Sequence, residues 1–260
     1  MSEAPFPHAL ERRIVIRARR DTVFRHFTDS ALWAAWWGAG STIEPRVGGR
    51  VLVRHPGAVE AAGEVLVLEP PARIAFTYGF TSGQPMPVGA SRVTITLEEI
   101  PEGTRLDLRH EFADAAARDH HVQGWRYQLS VFAGVVSELA QGAARERVDA
   151  WFAAWSEPDA ARRAALLART VAPTIRFRDR YSDVEGIGDL EPHLAAVHVF
   201  MPGARVARTG EIRRCQGTVL ADWIAHGGDG AELGRGANVF ELDADGRIDA
   251  VVGLWGPPGA

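Results

Sequence analysis

A chain of 260 residues, 46% of them hydrophobic, has enough apolar material for two cores, and it exceeds the roughly 100 to 200 residues usual for one domain. The net charge is -4 and every basic side chain is Arg, scattered among acids, which excludes a nucleic-acid-binding stripe; Arg12, Arg13, Arg17, Arg19 and Arg20 read as a solvated strand edge. One cysteine, Cys215, excludes an internal disulfide and a multi-cysteine zinc site and fits a reducing, cytoplasmic setting, while no apolar run suggests a secretory leader or a membrane span.

Residues 1–9 are expected to be a flexible terminus. A strand over Arg12 to Ala18 leads to Asp21, an expected N-cap, and a helix through Val23, Phe24 and Phe27. Strands follow. Ile74, Phe76, Tyr78 and Phe80 recur with period two, as do Val93, Ile95 and Leu97. Leu106, Leu108, His110 and Phe112 do the same beyond a hairpin turn at Pro101-Glu102-Gly103. Trp125, Leu129, Phe132, Val136 and Leu139, three and four apart, predict a long closing helix, and His120-His121 are expected to begin a helix near Asp119 and to be exposed.

The register restarts near Gln141 to Ala144, which separates a first domain over 10–141 from a second over 145–256. Val148, Trp151, Phe152 and Trp155 form one helical stripe, and a second helix follows Ser156-Glu157-Pro158-Asp159 and runs to about Thr170. A strand through Ile175 and Phe177 precedes a third helix over Gly188 to Phe200, stopped by Met201-Pro202-Gly203. Strands are predicted over Arg205 to Arg214, Thr218 to His226, Arg235 to Leu242 and Arg247 to Trp255, the later ones joined as antiparallel hairpins. Helices first, strands last and no βαβ alternation give an α+β class.

Several side chains are candidates for chemistry. Counting in twos from Ile175 and Phe177 turns Asp179 to the apolar face, where loss of water suits a carboxylate to act as a base near neutrality. The same residue also reads as a strand-end Asp that caps a turn or pairs with Arg178 or Arg180. Asn238 shares its face with Phe240 and Leu242, and reads as an inward hydrogen-bond donor or as a buried structural amide. His198 lies on the third helix near an expected pocket mouth; five residues from His193, it does not make the i, i+4 pair of a helical zinc site. Trp223, rather than Asp222, shares the inward face with Val219, Ala221 and Ala225. In the first half Trp36, Trp37, Phe76, Tyr78 and Trp125 are expected to line a cavity, with Trp33 beside them. His110 is the one ionisable group on its apolar face, as a core histidine or a ligand contact. The chain contains no P-loop, no GxGxxG after a strand, no GxSxG elbow and no HExxH, so neither a cofactor nor a metal is expected.

Two resemblances extend this reading. Leu32-Trp33-Ala34-Ala35-Trp36-Trp37-Gly38, the pair Gly49-Arg50-Val51 and Gly63-Glu64-Val65, the run Glu69 to Tyr78, and Gly124-Trp125 resemble the START-like, or SRPBCC, helix-grip superfamily, in its branch named after the activator homologue of a heat-shock-protein ATPase. That resemblance implies a curved antiparallel sheet around a long C-terminal helix with a lipophilic cavity between them. Ala150 to Trp155, Ile175 to Asp179, the helix ending at Met201, Asn238-Val239-Phe240 and Asp245-Gly246-Arg247-Ile248 resemble a SnoaL-like member of the nuclear-transport-factor-2-like cone fold, which also holds ketosteroid isomerase.

By this second resemblance Asp179 matches the isomerase's base and Asn238 its oxyanion-binding acid, while Trp151 stands where that enzyme has a Tyr donor; an amide or an indole N–H can donate but cannot do acid chemistry. Two functions follow as expectations. One is the binding of small lipophilic molecules in two cavities. The other is cofactor-independent isomerase, cyclase or hydratase chemistry in the second half, with Asp179 as base. Cone folds of this type commonly dimerise through the open sheet face, so a homodimer through the second domain is a third expectation.

Overall fold

The computed structural model describes residues 6–256, and the chain divides into two compact units, residues 1–140 and 141–260. Both are α+β. In the first, β1 (His8–Ile16) is followed by α1 (Arg20–Arg25), α2 (Ser30–Trp37), β2 (Thr42–Ile43), β3 (Arg50–His55), β4 (Val59–Glu69), β5 (Arg73–Phe80), β6 (Ser91–Ile100), β7 (Gly103–Phe112) and α3 (Ala115–Ala140). The strands form one seven-stranded antiparallel sheet in the order β1-β7-β6-β5-β4-β3-β2, curved around α3 as a helix grip. β1 begins at His8, inside the stretch expected to be flexible; residues 1–5 of that stretch lie outside the described residues.

Local chemistry explains where the helices begin. Asp29, and not Asp21, caps a helix through its side chain: its carboxylate accepts from the backbone N–H groups of Ala31 and Leu32 and starts α2. α3 begins at Ala115, ahead of both the start expected near Asp119 and Gly124, because Asp114 turns the chain there and accepts from the Ala116 N–H. Its buried residues Trp125, Leu129, Phe132, Ala133 and Val136 follow helical spacing, and the extra turns bury Ala117 and His121 as well.

The second unit places α4 (Ala144–Ser156), α5 (Ala160–Thr170) and α6 (Ile187–Phe200) against a six-stranded sheet. Its strands are β8 (Val171–Arg178), β9 (Asp183–Glu185), β10 (Arg205–Cys215), β11 (Thr218–His226), β12 (Glu232–Leu242) and β13 (Ile248–Trp255), in the order β10-β11-β12-β13-β8-β9. β10 to β13 are antiparallel neighbours, while β13 meets β8 in parallel, closing the cone with a long-range pairing that no hairpin signal announces. Alternation sets the faces: Val219, Ala221, Trp223 and Ala225 of β11 and Asn238, Phe240 and Leu242 of β12 point inward.

Candidate functional site

The first unit holds a cavity of about 560 Å³ between the end of α2, β3, β5 and the first half of α3. Trp36, Trp37, Tyr78 and Trp125 line it, together with His55, Phe80, His121 and Gln128. Phe76 and His110 do not. Phe76 is fully buried and covered by Trp33, whose ring meets it edge-on and whose own N–H donates to Leu52 O. His110 is also fully buried and closed within a hydrogen-bonded chain. An indole can only donate, so Trp125 Nε1–H donates to His110 Nδ1 at 2.9 Å. In the neutral ring Nε2–H then donates to Ser91 Oγ at 2.7 Å, and Ser91 donates onward to Tyr78 O. Burial holds the His110 pKa well below its ordinary value, and the nearby His121 lowers it further.

His121 corrects the expectation of exposure: it lies on the cavity wall and is 9% exposed. A residue put in the first turn of a helix that opens near Asp119 reads as exposed, whereas α3 opens at Ala115 and His121 lies one turn further in. Across the wall, His55 Nε2 and the Tyr78 hydroxyl form a 2.9 Å hydrogen bond. Burial lowers the pKa of both His55 and His121 and raises that of Tyr78 well above its usual range, so all three stay uncharged at neutral pH.

The second unit has an open cavity of about 510 Å³ among α4, α6, β11, β12, β13 and the β8–β9 turn. Asp179, Asn238, Trp151 and Trp223 all line it. Asp179, one residue beyond β8, is half-buried. Its Oδ1 accepts from the Tyr181 backbone N–H at 2.8 Å and its Oδ2 from the Trp255 indole at 3.0 Å. It therefore caps its turn and lines the cavity at once, and neither Arg178 nor Arg180 pairs with it among the described residues.

Asn238 is 6% exposed, and its amide has no hydrogen-bond partner among the described residues. It pairs in register with Gly253, which lies beside Asp179. A Cβ at position 253 would stand 2.9 Å from Asp179 Cβ and 3.4 Å from Asn238 Oδ1, so the bare backbone there leaves the opening between acid and amide.

Aromatic side chains form the remaining wall. Trp151 meets Trp155 edge-on and packs on Phe177, and Trp223 meets Trp255 edge-on at 4.9 Å. The indole N–H groups of Trp155 and Trp223 are buried without a partner. His198 is not on this cavity. Its pKa is lowered by burial and by Arg163, with Glu157 opposing, which places it beside those residues instead. His193 takes the wall position and holds Ser182 Oγ at 3.1 Å through Nε2. Five residues on a helix turn about 140°, so only one of the two histidines can face inward. Among the described residues no cluster of three or more His, Cys, Asp or Glu could hold a metal ion, and no helix is long and apolar enough to cross a membrane.

The strand orders and helix placements define a helix-grip unit followed by an α+β cone. More particularly, a family model described as "Activator of Hsp90 ATPase homolog 1-like protein" matches residues 17–137, within the first unit. Similar solved structures include a SnoaL-like family protein from Agrobacterium tumefaciens, 26% identical over 46% of this chain and 99% of that one, with a TM-score of 0.42. Others are the Aha1 dimer from Colwellia psychrerythraea (18% identity, 47% and 90% coverage, TM-score 0.41) and protein MLL2253 from Mesorhizobium loti (20% identity, 50% and 98% coverage, TM-score 0.46). No curated protein matches the chain.

Proposed function

We propose that this chain binds small hydrophobic molecules, one in each unit, in the cytoplasm and without a metal or redox cofactor. The observation that carries the reading is that each unit keeps an aromatic-walled cavity of about 500 to 600 Å³ that opens to solvent beside its packed core. Filled cores leave few voids larger than a water molecule, and small-molecule sites run from roughly 300 to 1,000 Å³. Native mass spectrometry of the chain purified from its own host tests this. A retained molecule of low mass is expected; a bare chain that also binds no hydrophobic probe in either cavity would sink the reading.

A second reading is favoured by one further observation, the pairing of Asp179 and Asn238 across Gly253. In it the second unit is a cofactor-independent enzyme of isomerase, cyclase or hydratase type. Asp179 takes a proton from carbon next to a carbonyl, and the Asn238 amide, with Trp151 beside it, stabilises the developing oxyanion. Deuterium exchange at the α-carbon of an enolisable ketone such as 2-tetralone, followed by NMR, tests the step directly. Exchange no faster than in buffer for a series of bound ketones would remove it.

The same unit supports pairing with a second copy through its sheet. Leu220, Val239 and Val252 stand in one cross-strand row on the face away from the core, with Leu254 half-exposed nearby.

A further inference from the structure

The cavity of the second unit sets one acid among aromatic rings with no Arg or Lys to match it. Trp151, Trp155, Phe177, Tyr181, Trp223 and Trp255 supply much of the wall. Asp179 is the one acid on that wall, and among the described residues no Arg or Lys lines it. The two carboxylate oxygens accept from the Tyr181 backbone N–H and the Trp255 indole, both residues of the same wall, so the group is held at the cavity without a counter-charge. Arg178 and Arg180, its neighbours in sequence, are exposed and do not pair with it among the described residues.

Asn238 adds a second oxygen to the same opening. It is buried and has no hydrogen-bond partner, yet its amide, unlike the sealed N–H groups of Trp155 and Trp223, is reached by solvent at the cavity. Asp179 Cβ and Asn238 Oδ1 flank one point above Gly253, at 2.9 and 3.4 Å. The other polar side chains of the wall are engaged or peripheral. Ser182 Oγ and His193 Nε2 lie 3.1 Å apart, which leaves His193 Nδ1 to donate or accept according to its tautomer, and Tyr181 stands exposed at the rim.

This charge pattern narrows the ligand. An anion would be repelled by Asp179 with no Arg to offset it, and a neutral hydrocarbon would take water from the carboxylate and put nothing in its place. A ketone brings no donor for either oxygen. An ammonium group brings the opposite charge, N–H donors for Asp179 and for Asn238 Oδ1, and attraction to the negative faces of the surrounding rings. The rim already shows that last contact, since Arg180 Cζ lies 4.9 Å from the centroid of the Tyr181 ring.

We infer that the second unit's cavity takes a lipophilic amine in its ammonium form, its N–H groups shared between Asp179 and Asn238 Oδ1 and its apolar body against Trp151, Trp223 and Trp255. The inference rests on the reading of this cavity as a small-molecule site and adds the class of molecule.

The test uses the full chain with 2-naphthylmethylamine, a cation at neutral pH, and 2-naphthalenemethanol, which has the same ring and reach but no charge. Binding is followed on the indole N–H resonance of Trp255, identified by its absence in Trp255→Phe. We expect both probes to shift that resonance and the amine to bind about ten- to a hundredfold tighter, the range of one hydrogen bond to a charged group. Asp179→Asn should bring the amine down to the affinity of the alcohol. Equal affinities in the unaltered chain, a preference for the alcohol, or an amine preference that survives Asp179→Asn would overturn the amine assignment while leaving a lipophilic cavity in place. The comparison in the unaltered chain decides the matter whether or not Asp179→Asn folds. If neither probe perturbs the Trp255 resonance at saturation, the small-molecule reading of this cavity fails with it.

Discussion

The indole N–H of Trp255 donates to Asp179 Oδ2 at 3.0 Å, which ties the end of β13 to the turn after β8 and fixes the carboxylate against the cavity wall. Trp255→Phe keeps the ring and removes the donor. Because Asp179 is half-exposed, we expect a loss of about 1 to 2 kcal/mol, read by urea denaturation. Asp179→Asn keeps an oxygen for the Tyr181 N–H and removes the base. If the second unit is an enzyme, α-deuterium exchange in its ketone substrate should fall by about 10² to 10⁴ with the circular dichroism spectrum unchanged. A fall of less than tenfold would remove Asp179 from the chemistry.

Gly253 gives a sharper test of the cavity, because its backbone conformation suits any residue and only space is at stake. In Gly253→Ala the new methyl meets Asp179 Cβ at 2.9 Å, with strand backbone on both sides. The expected cost is about 1 to 3 kcal/mol by calorimetry, as for other overpacked sites, together with loss of probe binding in the second unit. Unchanged stability and unchanged binding would show that acid and amide do not share an opening.

The first unit should lose stability in acid. Burial lowers the pKa values of His26, His55, His110 and His121, most strongly at His110, where an added proton on Nδ1 would face the Trp125 N–H. The unfolded chain protonates these rings below about pH 6.5, whereas the native unit resists until lower pH. Their stabilising effect is therefore complete above pH 6.5 and is lost as pH falls toward the depressed native values. Each histidine contributes a slope of about 1.4 kcal/mol per pH unit within its own window. Urea midpoints for the unit between pH 7 and pH 4.5 should show the decline, and His110→Gln should flatten it. A midpoint independent of pH over this range would contradict the buried-neutral assignment.

Which of these features could be read beforehand depended on whether a face or a cover was in question. Alternation along β11 and β12 put Trp223 and Asn238 inward, and the strand pairing placed them where the sequence put them. The same arithmetic led to Phe76 and His110 as cavity walls, since it finds the inward face of a sheet but not what lies on it. Trp33 covers one and Trp125 the other. On α6 the difficulty was phase: Ile187, Leu190, Leu194, Ala195 and Val197 leave no clean polar side, so nothing distinguished His193 from His198. The parallel β13–β8 pairing joins segments about 75 residues apart and leaves no local signal, although it brings Gly253 beside Asp179.

The outward face of the second unit's sheet yields the last expectation. Val239 sits between Leu220 and Val252 in register, on the side opposite Phe240 and the core, so an arginine there can reach solvent without disturbing the fold. If two copies meet through this row, Val239→Arg places like charges against each other across a two-fold contact, because a symmetric interface meets its own residues. We expect light scattering to give a dimer mass for the unaltered chain and half that mass for the variant, with probe binding in both cavities retained, since neither is lined by Val239. A monomer mass for the unaltered chain at high concentration would mean that this apolar row serves some other contact.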